Sequence, residues 1–279
     1  MRLMGIVNAT PDSFSDPGNH DPGELAERGR ALAAAGAAVI DVGGESGRTD
    51  REAVPEAVEA ARVVPVVERL AADGLTVSVD TWRAHVARAA LEAGAQMVND
   101  PSGLYEPEVA DACADHHASL VLTHTHVPPK QKAYPAHGDV MADVRQLLGE
   151  RDAQARERGV EAGRIVLDPG IDMGKTPAES IELLRRLHEL SDLERPVLVA
   201  ISRKDFIGAL LGRAPAGRDP GTLAALEAAA IGGAAYVRVH DVAAAADYLT
   251  VRSAMRGELP VAGDLRLPEE LRREPAAGP

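Results

Sequence analysis

The amino-acid sequence predicts a (β/α)8 barrel, and three observations carry that prediction. Eight short apolar runs recur along the chain, at 3–8, 38–42, 75–80, 96–99, 119–123, 164–168, 196–201 and 235–239. Their hydrophobicity is continuous rather than alternating, as in "AVIDV" and "PVLVAI", which suits parallel strands covered on both faces. Longer Ala/Leu/Glu/Arg-rich segments of helical character separate them at intervals of about 30–40 residues, the span of a βα unit. A chain of 279 residues with 45% hydrophobic side chains is long enough for one such barrel. The barrel is expected over 1–256, and the Pro- and charge-rich stretch 257–279 reads as a tail with room for one short helix.

Taken in order, the runs end on polar groups. The first ends at Asn8, and the second reaches Asp41 before a Gly-Gly turn and a loop that carries Glu45, Ser46, Gly47 and Arg48. The third ends at Asp80. The helical stretch 83–93 follows, with Val86, Ala90 and Ala93 on one face and Gly94 to stop it. The fourth run ends at Asn99, the fifth runs into His124 and the sixth ends at Asp168. A helix is expected over 177–190, with Pro177 at its start and Ile181, Leu184 and Leu187 at helical spacing. The seventh run meets Ser202, and the eighth carries Arg238. Barrel enzymes place their chemistry at the C-terminal ends of the strands. Any one of these polar residues alone reads as a helix cap or a loop start; together they read as a site.

Composition limits the partners. A formal net charge of −13, without a basic patch to override it, argues against nucleic acid. The single cysteine, Cys113, excludes an internal disulfide and fits a reducing compartment. The N-terminal stretch "MRLMGIVNAT" enters a buried-type strand directly, without an export-signal pattern, and no apolar run approaches the roughly 18 residues of a membrane helix. A cytoplasmic enzyme with no membrane partner is expected.

Several motifs suggest chemistry on their own. "GIDMGKT" (170–176) resembles a phosphate-binding P-loop but has three residues between its glycines where that loop needs four. His124-Thr125-His126 could set two imidazoles on one face of a strand for a metal. The carboxylates are spread singly and no second histidine cluster joins that pair, so the metal reading is set aside. Ser202-Arg203-Lys204-Asp205 opens a helix after strand seven, and Arg238 and His240 share a face on strand eight, which makes an anion site at the place where barrels commonly hold phosphate. Asp80, Asn99 and Asp168 offer two carboxylates and an amide suited to the donor-rich edge of a flat heterocycle. Structural ion pairs around the rim remain the alternative on these grounds.

The stretches "MGIVNATPDSFSD" (4–16), "IDVGGES" (40–46), "VSVDT" (77–81), "VND" (98–100), "LDPGIDMGK" (167–175), "SRKDFIG" (202–208) and "RVHDV" (238–242) resemble, in order, the motifs of the dihydropteroate synthase family. The resemblance spans roughly residues 1–256. It implies a pterin-binding TIM barrel that joins 6-hydroxymethyl-7,8-dihydropterin pyrophosphate to p-aminobenzoate, releasing pyrophosphate, as a step of folate biosynthesis. It further implies that Asp80, Asn99, Asp168, Lys204 and Asp41 bind the pterin. Asn8, Arg238 and His240, with Arg48, correspond to the pyrophosphate group, and Asn8 to the protein ligand of Mg2+. Lys204, Arg238, His240 and Asp80 correspond to the catalytic set. In that mechanism C–O cleavage builds charge on pyrophosphate, which Mg2+, Arg238 and His240 absorb. The uncharged amine then attacks the methylene. A homodimer is usual in the family.

The departures from the family pattern cluster on the amine side. The loop that reads Ser-Thr-Arg-Pro in the family reads Ser46-Gly47-Arg48-Thr49 here, Met173 stands for a phenylalanine, and Asp205 stands for a serine that donates to the p-aminobenzoate carboxylate. Thr123 and Thr125 stand where methionines are usual. Asp205 is expected to repel the acid of p-aminobenzoate, unless it serves as a helix cap with its side chain turned away. The amine pocket, made of Gly47, Arg48, Thr49, Met173 and Asp205, is therefore expected to be altered, with weaker or sulfonamide-insensitive synthase activity or another acceptor. The alternatives are a pterin-binding paralogue without synthase activity, and a methyltetrahydrofolate-dependent methyltransferase, which shares a pterin-binding barrel.

Overall fold

A computed structural model describes residues 1–10, 21–47 and 49–272. Arg48 and the 11–16 part of the first motif lie outside the described residues. Eight parallel strands are present among those described: β1 (Arg2–Asn8), β2 (Ala37–Gly43), β3 (Val77–Asp80), β4 (Met97–Asp100), β5 (Ser119–Thr123), β6 (Ile165–Asp168), β7 (Leu198–Ala200) and β8 (Tyr236–Val239). They pair in the order β6-β5-β4-β3-β2-β1-β8-β7. A bridge between Leu167 and Val197, with Leu167 N donating to Pro196 O at 2.9 Å, joins β6 to β7 and closes the ring. The expected barrel is the observed fold.

The helices are α1 (Pro22–Ala34), α2 (Glu56–Ala72), α3 (Ala84–Glu92), α4 (Glu108–Asp115), α5 (Val140–Glu157), α6 (Pro177–Arg185), α7 (Asp205–Leu211), α8 (Asp219–Ile231) and α9 (Val242–Met255). Their boundaries follow local chemistry. Thr176 caps α6 by accepting from Glu179 N while Glu179 returns a carboxylate to Thr176 N, and Pro177 fills the first turn, where no backbone donor is needed. The helix expected to run to 190 stops at Arg185 and continues as 3-10 turns over Leu187–Leu193. Three residues per turn keep Leu187 and Leu190 on one buried side, which a wider turn would begin to separate. After α9, residues 256–272 are exposed and hold one 3-10 turn, Glu269–Leu271.

Two apolar layers hold the barrel. One lies between the strands and the helices, with side chains such as Val7, Val42, Val79 and Leu122 facing Val63, Val86, Val109 and Leu148. The other fills the floor of the barrel with Met4, Val39, Met97, Val121, Val166 and Leu198. Both faces of each strand are thus covered, which is why the strands read as unbroken apolar runs. No helix among the described residues is long and apolar enough to cross a membrane.

Candidate active site

Strand alternation converts the apolar floor into a polar mouth. Two residues beyond Val39, Met97, Val121, Val166 and Tyr236 stand Asp41, Asn99, Thr123, Asp168 and Arg238, on the same inward face of their strands. Asp80 pairs in register with Asn99 and with Gly43, so it joins them at the same height. Asn8 ends β1 opposite Gly43. The same alternation sends Asp100 outward, where its carboxylate accepts from Ser102 N, Ser102 Oγ and Leu104 N and shapes the loop after β4.

Arg238 organises the mouth. Its Nε donates to Asp41 Oδ2 and its Nη2 to Asp80 Oδ2, both at 2.6 Å. Asn99 Nδ2 donates to the same Asp41 oxygen at 3.1 Å. Asp41 is fully buried, and its other oxygen, Oδ1, has no hydrogen-bond partner among the described residues. Removal from water pushes Asp80 up to about 7; Asp41 and Glu59 add to the rise while Arg238 and Lys204 oppose it. Asp168 is raised by burial, against a 2.7 Å hydrogen bond from Gly170 N and the charge of Lys204. Lys204, the residue before α7, therefore acts electrostatically on both carboxylates.

His240 sits on Ser202. Its backbone N donates to Ser202 Oγ at 3.1 Å, and its Nδ1 lies 2.8 Å from the same hydroxyl. Burial, followed by the charges of Arg238 and Arg203, lowers His240 to about 3, so the ring is neutral near pH 7. A hydroxyl that accepts from the backbone can donate to Nδ1, which leaves Nε2–H as the outward donor.

The loops are anchored by residues whose roles the sequence did not disclose. Glu45 of the "GGES" stretch accepts from Val54 N at 2.8 Å and from Arg83 Nη1 at 3.0 Å. Arg83 is buried, pairs also with Glu59, donates to Val54 O and lies over the Trp82 ring. Gly44 is needed here, because a Cβ would come within 2.8 Å of Val63 and 2.9 Å of the Glu59 carbonyl. Lys175 is not a phosphate ligand: it is buried, and its Nζ donates to the carbonyls of Gly170, Met173 and His124 at 3.0–3.2 Å, tying the glycine-rich loop after β6 into a knot. Asp172 accepts from Phe206 N at 3.2 Å and from Ser180 Oγ at 3.0 Å, which joins that loop to the start of α7.

The residues of the expected amine pocket are placed differently from those of the mouth. Gly47 and Thr49 are exposed, and a Cβ on Gly47 would meet nothing within 4 Å. Met173 is half-buried in the β6 loop. Asp205 has 81% of its side-chain surface exposed and accepts from Arg218 Nη1 at 2.9 Å, so the bare charge expected from the sequence is partly compensated. His124 is likewise not part of the mouth. It follows the inward-facing Thr123, points outward and meets Asp143 of α5.

Residues 4–240 match the family described as pterin binding enzyme. The dihydropteroate synthase of Mycobacterium leprae is 43% identical over 91% of this chain and 93% of its own length. That of Escherichia coli K12 is 39% identical over 86% of both. The chain belongs to the dihydropteroate synthase family of pterin-binding enzymes. Solved structures agree. A Xanthomonas albilineans dihydropteroate synthase with 4-aminobenzoic acid superposes with a TM-score of 0.86 at 45% identity, covering 93% of this chain and 94% of that one. The Yersinia pestis dihydropteroate synthase with a sulfonamide drug complex gives 0.87 at 37% identity, covering 92% and 94%. This dihydropteroate synthase-type transferase thus carries the fold expected from its motifs, with Asp41, Asp80, Asn99, Asp168 and Arg238 on the inner face of the barrel mouth.

Proposed function

We propose that the chain condenses 6-hydroxymethyl-7,8-dihydropterin pyrophosphate with p-aminobenzoate, giving dihydropteroate and pyrophosphate. The observation that carries this reading is the polar layer held by Arg238: Asp41, Asp80, Asn99 and Asp168 face inward around one guanidinium. A flat heterocycle edged with N–H donors fits a wall of carboxylate and amide oxygens, and the buried Asp41 Oδ1 is an acceptor in this layer that no described residue serves. Lys204 balances the carboxylates from the rim. The ligands in two structures of Xanthomonas albilineans dihydropteroate synthase, 4-aminobenzoic acid and 7,8-dihydropteroate, are the acceptor and the product of this reaction.

In the reaction, the pterin methylene C–O bond breaks, its electron pair leaves with pyrophosphate, and the amine nitrogen forms the new C–N bond and releases a proton. Arg238 supports the developing charge through the N–H groups not held by Asp41 and Asp80, and His240 does so as a neutral Nε2–H donor rather than as a cation. Asn8, half-buried at the end of β1, would hold Mg2+: its amide oxygen is a hard donor, and a single protein ligand suits an ion that keeps water and phosphate oxygens around it. When bound, Mg2+ supplies Lewis-acid stabilisation of the leaving pyrophosphate. The amine pocket around Gly47, Arg48, Thr49, Met173 and Asp205 is modified, with reduced sulfonamide sensitivity as the consequence. A homodimer is part of the reading, supported by the exposed apolar side chains Leu210, Leu211, Ile231, Val251 and Met255 along α7, α8 and α9.

Pyrophosphate release tests this reading. With dihydropterin pyrophosphate and Mg2+, release that requires p-aminobenzoate supports it, and a parallel sulfonamide titration reports the pocket. Release independent of p-aminobenzoate, or none with any aromatic amine, overturns it.

A further inference from the structure

Outside the mouth, on the far side of β5, three histidines converge on one carboxylate. His124 Nε2, His126 Nε2 and His137 Nδ1 lie 3.0, 2.9 and 2.8 Å from Asp143 Oδ2. The ring centroids are 5.2, 5.9 and 5.8 Å apart in pairs. Sequence alone offered only His124 and His126; the fold adds His137 from the β5–α5 connection and Asp143 from the first turn of α5. The His124 and His137 side chains are almost wholly buried, at 0% and 1% exposure, whereas that of His126 is 41% exposed.

Proton counting singles out His137 in this arrangement. Asp143 is shared by all three imidazoles: Oδ2 faces each of them, Oδ1 also lies 3.1 Å from His126 Nε2, and His124 Nδ1 stands 2.9 Å from Lys175 Nζ. Both nitrogens of His137 face acceptors, Nδ1 toward Asp143 Oδ2 and Nε2 toward Gly174 O at 3.2 Å. A neutral imidazole carries one N–H, so one of those contacts lacks a proton. A metal ion at His137 Nδ1 accounts for this, with Nε2–H kept on the Gly174 carbonyl as the outer hydrogen bond that orients a ligating histidine.

We propose that His124, His126, His137 and Asp143 form a binding site for one divalent transition-metal ion of the zinc class. Three imidazole nitrogens and one carboxylate oxygen are borderline donors that suit Zn2+, and four ligands fill a tetrahedron. The candidate ligand atoms of His124, His126 and Asp143 already lie within 4.8 Å of one another. Ligands at about 2.0–2.1 Å from Zn2+ sit roughly 3.4 Å apart, so the three imidazole contacts to Asp143 Oδ2 at 2.8–3.0 Å open by about half an ångström to admit the ion, with small side-chain rotations bringing the rings around it. This site is separate from Asn8 at the end of β1, the residue that would hold Mg2+, an ion that takes oxygen donors. Held between the β5–α5 connection and the Gly174 carbonyl, the zinc-class ion pins that connection against the loop carrying Met173 and Lys175. The proposal does not depend on which amine the enzyme uses.

The test uses the full chain, stripped with chelator and titrated with Co2+ and then Zn2+. One equivalent of Co2+ should develop the visible d–d bands of four-coordinate cobalt, Zn2+ should displace it, and one equivalent of Zn2+ should raise Tm. His126→Gln and His137→Phe should each weaken Zn2+ binding by at least about tenfold, since even loss of a group that only orients a ligand costs that much. Circular dichroism checks that each variant is folded. His126 is solvent-exposed, so His126→Gln keeps the test decisive if His137→Phe fails to fold. Co2+ bound with only the weak visible bands of octahedral cobalt, no stoichiometric binding, or unchanged Zn2+ affinity in folded His126→Gln overturns the proposal.

Discussion

Arg238 and Asp41, 197 positions apart in sequence, meet at 2.6 Å on the inner face of the barrel, where Asp41 is fully buried and its second oxygen has no hydrogen-bond partner among the described residues. The guanidinium reaches Asp41 through Nε and Asp80 through Nη2, a fork that an ammonium cannot reproduce. Arg238→Gln strands a buried carboxylate, for which the expected cost is about 3–5 kcal/mol. Thermal unfolding should shift down by roughly 2–4 °C per kcal/mol for a chain of this size. Arg238→Lys should recover only part of that loss. If Arg238→Gln melts with the wild type, the ion-pair account of the mouth is wrong.

Asp80 gives the site a pH dependence whose sign can be worked out. Its carboxyl is raised to about 7, so below that pH it is protonated and presents an O–H where the pterin edge needs an acceptor. Pterin affinity should therefore rise as pH rises through about 7, with a limiting slope of about tenfold per unit on the acid side. The folded state holds this proton more tightly than the unfolded chain, so Asp80 itself lowers fold stability as pH climbs from about 4 to 7. His240, lowered to about 3, contributes no titration near neutrality. Calorimetric binding of a non-hydrolysable pterin analogue across this range should lose its slope in Asp80→Asn. A slope that persists in that variant assigns the titration elsewhere.

The sequence disclosed the barrel and its mouth because both are periodic. Continuous apolar runs mark strands covered on two faces, and polar residues at the run ends mark the rim, so Asp41, Asp80, Asn99, Asp168 and Arg238 were legible. What the sequence could not disclose was which way the residues just beyond each strand turn. His124 follows Thr123 and faces outward to Asp143, although it stands at a strand end like the others. Long-range partners were equally hidden: nothing near Asp205 in the chain announces Arg218, and nothing near Glu45 announces Arg83. Lys175 was visible but disguised, since a glycine followed by Gly-Lys-Thr suggests phosphate binding until the buried Nζ is seen to hold carbonyls.

Replacement of Lys175 by methionine keeps the side-chain volume and removes the knot. The carbonyls of Gly170, Met173 and His124 lose their shared donor, and Gly170, with φ at +67° and the His124 carbonyl against its Cα, allows no other residue to take up the slack. Each buried acceptor left unsatisfied costs about 1–3 kcal/mol. Lys175→Met should therefore lower Tm and raise KM for p-aminobenzoate more than for the pterin, because the loop it releases carries Met173. Equal effects on both substrates would show that the loop serves the whole mouth.

The charge of Asp205 is the sharpest test of the amine pocket. A fully bare carboxylate beside the p-aminobenzoate acid would repel it strongly, but Asp205 is mostly exposed and already bound to Arg218 at 2.9 Å. Exposed charges act through water and are worth about 1 kcal/mol or less. Asp205→Ser should accordingly lower KM for p-aminobenzoate by no more than about fivefold, with kcat changed little. Arg218→Ala should do the opposite, raising KM by uncovering the carboxylate, and the double variant should return near Asp205→Ser. That non-additivity separates electrostatic compensation from a loop distortion, because Arg218 also donates to the Arg203 and Arg213 carbonyls and would disturb the loop regardless of Asp205. Additive effects of the two changes would mean that Arg218 acts through the loop, and an unchanged KM in Asp205→Ser would mean that the carboxylate does not face the amine substrate at all.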